Sequence, residues 1–155
     1  MKTKTFRFFS ATLIMLSIVF IISCSDNNDD TTSATLYTRL GGIDAIAAVT
    51  DQFLANVAAD SKINARFEAT VANSSRLQLL RNNLIDQICA GAGGPCQYKG
   101  KTMLAAHTGM NITQDEFNAL VGDLVAALDK FNVPEKEKND LLAILGPMQS
   151  DIVGK

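Results

Sequence analysis

The stretch GGPCQYKGKTMLAAHTGM, residues 93–110, is where the reading of the fold turns. Its opening glycines and proline stop a helix arriving from upstream, because glycine favours chain reversal and proline lacks the N–H that a helix needs. It then presents His107, the single histidine in 155 residues. One imidazole removes zinc sites built on two or three histidines. A Ser-His-Asp arrangement stays formally open, but no G-x-S-x-G elbow accompanies it. General acid–base work, one metal bond or a structural hydrogen bond remain.

Outward from this stretch, helical periodicity dominates. Upstream, Ile43, Ile46, Val49, Phe53 and Val57 recur at three- and four-residue steps and share one helical face. A second helix is expected from about 75 to 90, with Leu79, Leu80, Leu84, Ile85 and Ile88 inward. Downstream, Phe117, Leu120, Val121, Leu124, Val125, Leu128 and Phe131 form a stripe, and Thr113 with Glu116 supplies a capping box at its start. A last helix is expected near Pro134, burying Leu141, Leu145, Met148 and Ile152, with a kink at Gly146-Pro147. No short alternating run rich in β-branched and aromatic residues appears, so the expected class is all-α.

The amino terminus reads differently. Lys2, Lys4 and Arg7 precede an apolar run from Ala11 to Ile22, shorter than the roughly 20 residues of a membrane span, which is the layout of an export signal. Ile21-Ile22-Ser23-Cys24 resembles a bacterial lipobox, which implies a signal at 1–23 and a lipid-bearing Cys24. Ser25 leans towards the outer membrane by the same resemblance. Residues 25–35 are polar and acidic without apolar anchors, so 24–35 is expected to be a tether. The remaining 36–155 suit one domain. Removing the signal leaves 11 basic against 16 acidic groups, which argues against nucleic acid as a partner.

Taken with its flanks, the chain resembles the truncated hemoglobins, most closely their first group. LYTRLGG at 36–42 matches the family's opening, with paired glycines between two short helices. Phe53, Ala59-Asp60 and Phe67 follow in order; then Gly93, Gly94, Pro95, Tyr98, Gly100, Met103 and His107 meet the pattern GGP-xx-Y-x-G-xx-M-xxx-H. Ile112-Thr113, Phe117, Val133-Pro134 and Asp151-Ile152-Val153 complete a series covering nearly all of 36–154. The resemblance implies a truncated globin, a two-over-two α-helical sandwich enclosing haem b, with His107 as the proximal iron ligand. Phe67, Leu80, Leu84, Met103, Ile112, Phe117, Val121 and Leu145 would line the haem, although plain core packing is open for each. Tyr98, Lys99 and Lys101 could form a polar rim, or simply be solvated.

The pattern is broken on the distal side. Many relatives place a tyrosine after the phenylalanine matched by Phe53; here stands Leu54. Where the distal helix often offers a glutamine, this chain has Leu84, and another distal position falls on Leu80. An insertion near 68–79 blurs the register, leaving Asn83, Gln87 and Gln78 as polar candidates. Without a donor, oxygen is expected to leave roughly 10- to 100-fold faster, since a hydrogen bond to a strongly polarised partner contributes about 1.5–3 kcal/mol. Cys89 and Cys96 would lie about 10.5 Å apart on a continuous helix; the helix stop can fold them together into a disulfide, and two free thiols are the alternative.

Three functions follow: an exported monomer that binds O2, NO or CO at five-coordinate haem iron; an NO dioxygenase or peroxidase fed by an external electron donor; and a haem-free helical lipoprotein.

Overall fold

The computed structural model describes residues 34–155. The expected signal, Cys24 and all but the end of the tether lie outside the described residues. Among these the elements are α1 (Leu36–Arg39), α2 (Gly42–Ala59), α3 (Asn64–Val71), α4 (Ser74–Gly91), α5 (Met103–His107), α6 (Gln114–Lys130), α7 (Glu135–Leu145) and a closing 3-10 helix (Gly146–Asp151). One parallel bridge, Ile112 to Val153, is the only β pairing among the described residues. The class is all-α, as the periodicity requires. No helix among the described residues is long and apolar enough to cross a membrane.

Thr35 starts the fold: its hydroxyl accepts from the Thr38 N–H at 3.3 Å and caps α1. Gly41 and Gly42, both at positive φ, turn the chain into α2. That helix has 18 residues, so the expectation of two short helices around the glycines holds only for α1. α2 packs chiefly against α6 and α4. It buries Ile46, Val49, Phe53 and Val57. Ile43, expected on the same face, is 39% exposed in the first turn, where its N–H donates to the Tyr37 hydroxyl at 3.1 Å.

α6 begins with the expected box. The Thr113 N–H donates to Glu116 Oε2 at 2.8 Å, and the Glu116 N–H donates to the Thr113 hydroxyl at 3.2 Å. Phe117, Leu124, Ala127 and Leu128 are buried along it. Phe131 is the exception: it ends the helix as its C-cap and is exposed, because the stripe has rotated off the core by the last turn. Leu79 on α4 is likewise corrected to an exposed position, 61% accessible, while Ile85 and Ile88 carry the burial.

α7 is bolted to α1 by charge. The Arg39 Nε donates to Glu137 Oε1 at 3.0 Å, and the same guanidinium reaches Asp140. Glu137 is buried, and a buried carboxylate without a partner would be strongly destabilising. The expected kink is a change of helix type. Pro147 has no N–H to continue an α-helical ladder, and the chain tightens into the 3-10 helix at Gly146.

α3 has no counterpart in the periodicity. It has no fully buried residue, so no stripe announces it. The buried Ile63 holds its start, and Asn73 caps the next helix by accepting from the Arg76 N–H at 2.9 Å.

Candidate functional site

The helix stop is built from three neighbouring constraints. The Ala92 carbonyl accepts from the Tyr37 N–H at 2.8 Å, and the Gly94 N–H donates to the Cys89 carbonyl at 2.8 Å. A Cβ on Gly94 would fall 2.5 Å from the Tyr37 ring and 2.7 Å from the Cys89 sulfur, so a side chain cannot fit there. Cys89 and Cys96 are joined by a disulfide with their Cα atoms 5.7 Å apart. The chain then runs without regular structure to Thr102, whose hydroxyl accepts from the Ala105 N–H at 3.2 Å and caps α5.

α5 ends in His107. One turn back, the Met103 carbonyl lies 2.7 Å from its Nδ1. A carbonyl only accepts, so Nδ1 carries the proton and Nε2 keeps its lone pair. This fixes the ring orientation, the usual support for a metal-binding histidine. Among the described residues no group of three or more His, Cys, Asp or Glu is placed to hold a metal ion. A metal at His107 would therefore have to bring most of its ligands with it.

The apolar residues expected to line a haem are, with one exception, incompletely buried. Phe67 on α3, Leu80 and Leu84 on α4, Met103 on α5, Ile112, Val121 on α6 and Leu145 on α7 are all half-buried, and Phe117 is buried. Phe67, Leu84 and Leu145 also pack against the hydrophobic core, and the apolar area these residues leave exposed is available to a flat apolar guest. Tyr98 donates its hydroxyl to the Lys101 carbonyl at 2.7 Å, and burial pushes its phenol above the usual range. The hydroxyl thus serves the loop itself; Lys99 and Lys101 are exposed beside it.

On the α4 side, Leu54 follows the buried Phe53 and is half-buried. Leu80, Leu84 and Gln87 share a helical face by their spacing. The Gln87 amide donates to the Met148 sulfur at 3.1 Å and to the Met103 sulfur at 3.6 Å. Gln78 is exposed and donates to Asn82 Oδ1 at 2.8 Å. Asn83 is half-buried and makes no side-chain hydrogen bond to the described residues. A cavity of about 450 Å³ lies between α2, α3 and α4, lined by Leu54, Ala55, Ala58, Val71 and Leu77, with the Asp51–Arg81 ion pair at its edge.

Arg66 escaped the sequence reading. Its Nε donates to Glu116 Oε1 at 2.7 Å, and its Nη1 donates to the Met110 carbonyl at 2.9 Å. It thereby ties α3 to the turn behind His107, where the Met110 N–H donates to the His107 carbonyl at 3.0 Å. The bond to Arg66, followed by those to Thr113, lowers the Glu116 carboxyl to about 2. Only the adjacency of Arg66 to Phe67 marked this position, and a lone arginine carries no signature of its partner.

The Bacterial-like globin family model matches residues 35–153. The chain belongs to that family. Within it, this globin is similar to the group 1 truncated hemoglobin of Mycolicibacterium paratuberculosis, 30% identical over 77% of this chain and 84% of the relative. It is also similar to that of Tetrahymena pyriformis, 31% identical over 78% of this chain and 96% of the relative. The Fe(III) structure of the Tetrahymena protein superimposes with a TM-score of 0.72 at 30% identity, covering 79% of this chain and all of that one. The 2/2 hemoglobin of a Synechococcus species, solved in the cyanomet state with covalently attached heme, gives 0.68 at 27% identity over 77% and 98%. The fold is thus the truncated globin sandwich, and the globin is a group 1 truncated hemoglobin that binds haem.

Proposed function

We propose that this globin holds haem b through His107 Nε2 and takes a diatomic gas on the opposite face, retaining NO or CO better than O2. The carrying observation is the 2.7 Å bond from His107 Nδ1 to the Met103 carbonyl, which leaves one nitrogen, on the chain's single histidine, free to ligate. When bound, haem supplies an iron with one further position for a small ligand. Phe67, Leu80, Leu84, Met103, Ile112, Phe117, Val121 and Leu145 would cover its apolar faces and exclude water. Leu54, Leu80 and Leu84 offer no hydrogen to a ligand, and Gln87 already spends its amide on two sulfurs. A gas that becomes polarised when held, as oxygen does, is therefore favoured less than NO or CO.

Gas binding is preferred to turnover because the α4 face carries leucines where a proton-transferring group would be needed for peroxide cleavage. Residues 1–24 support export and anchoring through Cys24, which Cys24→Ala would abolish as loss of lipid labelling. The test of the main reading is the absorption spectrum of the reduced, haem-reconstituted protein with and without CO. A Soret band that moves on CO addition is expected; absence of any Soret band ends the reading.

A further inference from the structure

We propose that the Cys89–Cys96 disulfide is a positioning link for His107, fastening the loop that carries the imidazole to the rigid end of α4. The inference rests on the reading of His107 as the iron ligand.

The argument begins with what holds the loop. Residues 95–101 make no backbone–backbone hydrogen bond to the described residues. The Tyr98–Lys101 bond closes the loop on itself and fastens it to nothing else. Cys96 is the point at which the segment is tied down: it packs against the core and is bonded to Cys89, which is fully buried on α4. Eleven positions further on comes His107. α5 has five residues, too few to be a stable helix alone, so its direction follows from its attachments. Downstream these are the Arg66 bond to Met110, the backbone pairing of Asn111 and Ile112 with residues 153–155, and the contacts with the 3-10 helix. Upstream, past the weak Gln87–Met103 contact, the strong attachment is the disulfide. Thiol–disulfide exchange with a dithiol would undo it: the dithiol is oxidised to its disulfide as its two hydrogens pass to the Cys89 and Cys96 sulfurs.

The experiment compares the haem-loaded full chain as prepared, after reduction with a dithiol, and as the Cys96→Ser variant. Three readouts are followed: transfer of haem to excess apomyoglobin, the ferrous iron–histidine stretching band in resonance Raman, and helicity by circular dichroism. Loss of a group that orients a metal ligand typically costs about 10- to 100-fold in metal affinity; a rise in haem transfer of at least about tenfold with a displaced Raman band and unchanged helicity is expected, reversed on reoxidation of the wild type. Should Cys96→Ser fail to fold, the reduced wild type decides alone. An unmoved band with transfer within twofold overturns the link, as does faster transfer accompanied only by loss of helicity. Failure of the bonded protein to take up haem instead overturns the reading of His107, which separates the two.

Discussion

On one side of the proposed haem site, His107 sits behind a glycine that no side chain can replace, a disulfide, a capping threonine, a carbonyl that orients the ring and an arginine that holds the following turn. On the other, Leu54, Leu80 and Leu84 present hydrocarbon, and the neighbouring amide of Gln87 is turned to sulfur. The first side is specified atom by atom and the second only by shape. Under the proposed function, the first side would grip the cofactor and the second would receive the ligand.

The largest effect expected tests the first side. His107→Ala should abolish stable haem uptake, read as loss of the Soret band, while a His107→Gly variant should recover it with added imidazole. Next comes the second side. Leu54→Tyr places a hydroxyl beside Phe53 on the proposed ligand side; stopped-flow should show oxygen release slowed roughly 10- to 100-fold with CO release little changed. An unaltered oxygen rate would show that Leu54 does not face the ligand.

A smaller effect concerns the start of α6. Thr113→Ala removes the box at the start of α6 and should lower stability by about 1 kcal/mol, seen as a lower melting temperature with the Soret band retained. The smallest is electrostatic. Arg66, then Thr113, holds the Glu116 carboxyl at about 2, below its unfolded value of 4.5. The unfolded chain therefore binds this proton first as pH falls. The contribution is whole above about pH 4.5 and is lost towards about pH 2, so melting temperatures of Glu116→Gln should fall less steeply than wild type across that window.

The two sides also differed in how far the residues alone revealed them. His107 stood out because it is the one imidazole and follows an ordered series of glycines, and α6 was legible because a wide apolar stripe and a capping box agree. α3 was not, since a helix that buries nothing fully leaves no period to detect. Ile43, Leu79 and Phe131 fit their stripes by spacing yet emerge exposed, because the spacing cannot say where a neighbouring helix stops covering a face. Arg66 was invisible for a related reason: its partners Met110 and Glu116 come from distant sequence, and only the fold brings them together.

The Gln87 amide facing the sulfurs of Met103 and Met148 has a chemical corollary. Thioethers are poor acceptors, whereas a sulfoxide oxygen is a good one. Peroxide that oxidises Met148 leaves one oxygen on the sulfur and departs as water; the amide gains a stronger acceptor, but that oxygen must stand between groups only 3.1 Å apart and would press α4 away from the closing turn, a change a sulfoxide reductase would undo.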